Sequence, residues 1–264
     1  MIQSAMQPRP AQVQSAVAVG FRLGDKGTHT SRTMMLAELT ALMESVPDSA
    51  SRADYASAII ESNCLDKATA STRRLTNQRI GELYALDPSV ALFRVLRRLW
   101  SADHAGRPLI ALLAAIARDP ILAASAPPVI ELKPGEESRK DPIANAIRHV
   151  VGDRLNDAIL DKVVRNVSSS WAQSGHLAGR TFKRRVRVTP TPPSVAMALY
   201  LGFVTGYRGF ELMDSPWMQV LDATPSQATD LALGAKRIGL IDIRISDRIV
   251  DLSLNRLDPR GAME

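Results

Sequence analysis

Four dipeptides, Asp87-Pro88, Asp141-Pro142, Ser215-Pro216 and Thr224-Pro225, put proline directly behind a residue suited to cap a helix. Proline lacks the N–H that a first helical turn leaves unused, and its fixed φ suits that turn, so each pair predicts a helix start. The helices they open run over Ser89–Ser101, Asp141–Val151, Ser215–Leu221 and Thr224–Arg237, and Pro108 and Pro120 open two more, to Arg118 and Ser125. A chain divided this often folds as many short helices. Composition agrees: 45% of the 264 residues are apolar, enough for a sizeable core, but only 5% are aromatic, which suits packed helices better than aromatic-rich sheets.

Periodicity supplies the other elements. Ser31–Val46 repeats Met35, Leu39, Leu42, Met43 and Val46 on one helical face, and a helix from Ser51 to Ser62 buries Tyr55, Ala58 and Ile59. From Asp153 to Ser174, Ile159, Val163, Val167 and Trp171 recur every fourth residue, and a further helix spans Ser194 to about Thr205. Gly179–Val188 alternates in its second half and reads as a strand or wing. Beyond the helix-closing Gly239, Ile241, Ile243 and Ile245 and then Val250, Leu252 and Leu254 alternate with polar residues, a hairpin of the kind that ends a winged-helix unit. The fold class expected is mostly α, two helical units with helix-turn-helix or winged-helix character and short β-hairpins in the C-terminal half. Pro127-Pro128 and the charged run to Lys140 show no apolar period, so residues 127–140 are expected to link helical domains at 28–126 and 141–264, behind a flexible arm at 1–27.

The apolar runs Leu109–Ile116 and Val195–Tyr207 fall short of the roughly 20 residues of a membrane-crossing helix. The single cysteine, Cys64, excludes an intramolecular disulfide, and Met1–Pro10 lacks the pattern of a signal peptide, so a cytoplasmic location is expected. His29, His104, His149 and His176 are scattered, and His149 with Asp153 reads as a surface hydrogen bond. Gly202, Gly206 and Gly209 match no phosphate loop, the first two reading as close helix packing. No cofactor, metal or catalytic set is expected, and the chain is read as not an enzyme.

A net charge of +6 favours an anionic partner. Lys67–Arg107 holds eight basic residues against three acidic, and Arg139–Val188 eleven against four, so the remainder of the chain is acidic. Lys67–Tyr84 follows the helix at Ser51 and a break at Asn63–Asp66, as the second helix of a helix-turn-helix does. Wheel placement puts Leu75, Ile80, Leu83 and Leu86 inward, leaving Lys67, Ser71, Arg73, Arg74, Asn77 and Gln78 to face DNA. Arg79 falls within the apolar arc, its head reaching water or a carboxylate. The second grip is the wing, with Arg180, Lys183, Arg184, Arg185 and Arg187 tracking a phosphate backbone. The same features also fit a solvated helix and a charge-protected edge strand. Duplex DNA is the partner expected first, with RNA and a protein complex, docked through exposed residues of 194–221, as the other readings.

Two stretches carry a family likeness. Ile60–Lys67 leading into Ser71-Thr72-Arg73-Arg74-Leu75 and Arg79-Ile80, together with Ser169–Leu177, resembles BrxA proteins of BREX phage-defence systems. The resemblance covers the first helix pair well and the C-terminal half loosely. It implies a small, mostly helical, non-enzymatic DNA-binding accessory protein acting beside a methyltransferase and an ATPase, with other defence proteins as partners and Lys67–Arg79 facing DNA. This chain is longer than the usual member, with an extra N-terminal arm and the segment near Lys133.

Overall fold

The computed structural model describes residues 6–246 and 249–261, and it is mostly α. In chain order the helices are α1 (Val13–Val19), α2 (Leu36–Ser45), α3 (Arg52–Ile60), α4 (Ala70–Tyr84), α5 (Ala91–Ala102), α6 (Arg107–Arg118) and α7 (Pro120–Ala124). Then come α8 (Ala126–Ile130), α9 (Lys140–Val151), α10 (Asp157–Gln173), α11 (Pro192–Thr205), α12 (Pro216–Val220) and α13 (Pro225–Arg237). Two antiparallel pairs complete it: β1 (Leu177–Ala178) with β2 (Arg184–Arg185), and β3 (Asp242–Ser246) with β4 (Ile249–Ser253).

Two helices are apolar on every side and become the interior. In α6 every residue from Leu109 to Ala117 is buried, and in α11 every residue from Pro193 to Gly202. A helix with no polar face has to be covered all round. Accordingly α11 packs against α1, α5, α6, α12 and α13, while α6 packs against α4, α5 and α7. Prolines 192 and 193 occupy its first turn behind a Thr191–Ser194 capping box, and Gly206 closes it at φ 103°. Gly202 serves close packing as expected, since a Cβ there would lie 3.1 Å from the Leu212 side chain. Two of the three buried indoles find partners, Trp171 Nε1 donating to Ser125 Oγ at 2.8 Å and Trp217 Nε1 to Thr205 Oγ1 at 3.0 Å, whereas Trp100 Nε1 has none among the described residues.

Buried apolar side chains form one continuous cluster from Met6 to Leu257. Residues expected as a flexible arm include α1 with its buried Ala16, and Met6 is buried as well. The expected linker starts in α8, where Pro127-Pro128 sit in the first turn, and residues 135–138 dock by backbone pairing with the wing. Backbone pairing needs no apolar period, which is why that stretch reads as unstructured.

Several element starts differ from expectation. Helix α2 begins at Leu36, not Ser31, because Met35 adopts a left-handed φ of 54° while Met34 N–H is held by Ser170 Oγ at 2.8 Å. In α9, Arg139 is the cap, and Asp141 and Pro142 lie within the first turn. Gly152–Arg154 is a 3₁₀ turn, so α10 starts at Asp157 behind an Asn156 cap. The expected hairpin is present as β3–β4, with Ile243 opposite Leu252 and Ile245 opposite Val250.

Candidate nucleic-acid interface

Helices α3 and α4 pack together as the sequence predicts, but the connection between them spans residues 61–69. That is longer than the 3–4 residues, roughly, of a DNA-binding helix-turn-helix. It is held by Asn63, at φ 53°, whose Oδ1 accepts from Lys67 N–H at 2.8 Å, and Thr69 caps α4 by accepting from Thr72 N–H. The inward stripe of α4 is Thr76, Ile80, Leu83 and Tyr84, whereas Leu75, expected inside, is exposed. Burial between α3 and α6 thus shifts the wheel by one position.

That shift sorts the six candidate residues of α4 and its approach. Ser71, Arg74 and Gln78 lie at i, i+3 and i+7 on the exposed face, and Asn77 is half-buried beside them. Arg73 turns back: its guanidinium donates to Ile60 O at 3.1 Å and Lys67 O at 3.2 Å, capping α3. Lys67 pairs with Glu38 at 3.2 Å, and Gln78 donates to Glu82 at 3.0 Å. Arg79 meets the expected carboxylate, Glu82, at 2.9 Å. Among the six, Arg74 is therefore the cation with neither a hydrogen bond nor an acidic partner among the described residues. Beside Asn77 and Gln78 lies a cavity of about 320 Å³ walled by Arg22, Arg52 and Arg118. Arg22 and Arg118 both donate to Glu82 O, capping the end of α4, and burial followed by the charge of Arg22 pushes the Arg118 guanidinium down to about 10.

The wing is better built. Between β1 and β2 a five-residue loop, 179–183, turns the chain, and residues 135–138 pair along the other side of β2. Three backbone bonds hold that second pairing: Gly135 N–H to Arg185 O, Ser138 N–H to Lys183 O and Arg185 N–H to Glu136 O, each 2.8 Å. Alternation along β2 sends Arg184 and Val186 outward and Arg185 inward. Arg185, expected to contact DNA, is only 2% exposed: it pairs with Asp222 at 2.5 Å and donates to Val129 O at 3.1 Å. Arg180, Arg184 and Arg187 are exposed and Lys183 is half-buried, and none of the four has an acidic partner among the described residues. Burial holds the Lys183 ammonium below its usual value. The sequence reading missed Phe182 at the loop, 66% exposed, and residues 135–138 as the outer rail.

His176 anchors the wing base. Its Nε2 donates to Val220 O at 2.6 Å, its Nδ1 lies 2.8 Å from Ser174 Oγ, and its ring stands edge-on to Trp171 at 4.9 Å. Burial pushes its imidazole down to about 4, opposed by the Val220 bond and helped by the Arg185 charge. An unfolded histidine protonates near 6.5, so the unfolded chain holds the extra proton between those values. The stability His176 contributes is fully present above about pH 6.5 and is lost as pH falls towards 4, on the order of 3 kcal/mol. Urea melts at about pH 7.5 and 4.5 are expected to show this fall, with a shallower dependence in His176→Gln. An equal dependence in the variant would exclude His176 as the titrating group.

One constellation has the look of chemistry. His29 Nδ1 lies 2.8 Å from Asp119 Oδ2, and His29 Nε2 lies 2.8 Å from Ser170 Oγ, the order of a Ser-His-Asp triad. All three residues are 0% exposed. Ser170 Oγ also accepts from Met34 N–H at 2.8 Å and donates to Asn166 O at 3.1 Å, so no substrate carbonyl can approach it. Asp119 accepts besides from the backbone N–H of His29, Ile121 and Leu122. Although burial raises the Asp119 carboxyl, the charge and hydrogen bonds of His29 and the Leu122 N–H outweigh it and hold the carboxyl below the ordinary carboxylate value. The arrangement ties the 28–30 turn, α7 and α10 together.

The face expected for protein docking, residues 194–221, is largely interior, leaving Arg208, Phe210, Glu211 and Asp214 exposed. The expected pair His149–Asp153 forms no hydrogen bond. No helix among the described residues is long and apolar enough to cross a membrane. Compared with known proteins, the chain matches no protein-family model and no curated protein.

Proposed function

We propose that this chain binds duplex DNA through its phosphate backbone, with the wing as the main grip and α4 as a lesser one. The observation that carries this reading is the set of wing cations, Arg180, Lys183, Arg184 and Arg187, left without acidic partners while Lys67, Arg94, Arg97, Arg107, Arg148 and Arg165 are each paired. Unneutralised cations on an exposed loop and strand release counterions from phosphates, the largest sequence-independent source of DNA affinity. The order α8, residues 135–138, α9, α10, β1, loop, β2 is that of a winged helix, which supports the same reading. The sealed Ser-His-Asp set gives no reason to assign it chemistry. The resemblance to BrxA proteins supports a role as a non-enzymatic accessory of a phage-defence system.

A mobility shift with unrelated duplexes tests it. For about four phosphate contacts at roughly 0.9 per contact, affinity is expected to fall about 150-fold between 50 and 200 mM salt. Arg180→Glu with Arg184→Glu is expected to abolish binding, and Arg74→Glu to weaken it less. RNA competing as well as DNA, or unchanged binding in the double variant, would overturn the assignment.

A further inference from the structure

The loop between β1 and β2 presents a large apolar ring to solvent in the middle of the basic cluster. Phe182 is 66% exposed, and Val186, four residues on, is 41% exposed. Burying a phenylalanine ring favours folding by roughly 1.5–3 kcal/mol, so a chain with a continuous core gains nothing in stability by leaving one outside. The backbone that carries the ring is held in a defined turn. Gly179 has φ 114°, and a Cβ at that position would sit 2.3 Å from Phe182 O, so the turn closes only around glycine. Residues 135–138 and β1 brace β2 from both sides, which keeps the loop from folding back. Within five residues of it along the chain lie Arg180, Lys183, Arg184 and Arg187, with no acidic partner among the described residues.

An exposed apolar ring on a loop and strand that carry four unneutralised cations fits a surface that is anionic at its edge and apolar within. A protein groove of that kind is rare, whereas duplex DNA has this layout throughout, phosphates flanking stacked bases. We infer that Phe182 is a wedge that enters between base pairs while the surrounding cations hold the two phosphate strands. This rests on the DNA-binding reading above and adds a preference to it: DNA that unstacks easily. Inserting an apolar side chain between steps costs unstacking energy, and that cost is least where pairing is already broken.

The test compares a matched duplex with the same duplex carrying a central mismatch, both against the full-length chain. The natural chain is expected to bind the mismatched duplex about tenfold more tightly, the scale of one aromatic–base contact. Phe182→Ala is expected to bind both duplexes alike with an unchanged salt dependence, since no charge is removed, and Phe182→Leu to keep part of the preference. Thermal melting of each variant at the natural temperature shows that the fold is intact, because the ring is outside the core. A natural chain indifferent to the mismatch, or a preference that survives in Phe182→Ala, would overturn the wedge while leaving backbone binding in place. Failure of the natural chain to bind either duplex would overturn the DNA-binding reading and the wedge with it.

Discussion

Asp119→Ala is expected to lower stability by about 3–5 kcal/mol, which moves the melting temperature by on the order of 10 °C in a chain of this size. The carboxylate is buried and accepts from four donors: His29 N–H, the His29 ring, Ile121 N–H and Leu122 N–H. Removing it strands all four in a medium that cannot replace them, and it also uncaps α7. Ser170→Ala is expected to cost less, about 1–3 kcal/mol, through the loss of one acceptor for Met34 N–H and one partner for His29. Because the folded carboxyl is held below its unfolded value, its contribution is present above about pH 4 and is lost as pH falls further. Thermal melts near neutral pH measure both variants, and a loss under about 1 kcal/mol for Asp119→Ala would show that the network is not what joins the 28–30 turn to α7.

The second large effect separates two adjacent arginines. Arg185→Ala breaks a buried pair with Asp222 and strands Val129 O, so a loss of about 3–5 kcal/mol is expected. Asp222 also holds Val188 N–H at 2.9 Å, so the exit of the wing loosens with it. Arg184→Ala, with an exposed side chain bonded to Gly135 O, is expected to change stability by no more than about 0.5 kcal/mol but to weaken DNA binding. Paired melts and mobility shifts decide the matter. Equal melting temperatures in the two variants would remove the distinction.

That pair also shows what a sequence can and cannot convey here. Arg184 and Arg185 are the same letter, and alternation says only that they face opposite ways. Which one faces inward depends on Asp222, 37 residues later, on another element. Arg73 was equally opaque, because its role as a cap for α3 requires the α3–α4 crossing angle. Local signals were legible where they act within a few residues: the helix starts at Ser51 and Thr224, Gly239 behind α13, the alternation in β3 and β4 and the all-apolar α6. Phase was less so. Leu75 and Ile159 lie one position from the true inward stripes, and only the neighbouring helices fix where a stripe is centred. Phe182 was visible as a letter, but its exposure follows from the turn at Gly179 and the rail at 135–138.

The His29–Asp119–Ser170 network also has a consequence for how the chain is made. Its first and last members are 141 residues apart. At roughly 5–20 residues per second, a ribosome delivers Ser170 about 7–30 s after His29. Until then the Met34 N–H has only water as partner and must stay hydrated, so this part of the core stays open. Closure of the core is therefore a late, non-local event, slow by the measure of contact separation. The residue that completes it, Ser170, lies on α10, immediately ahead of the wing.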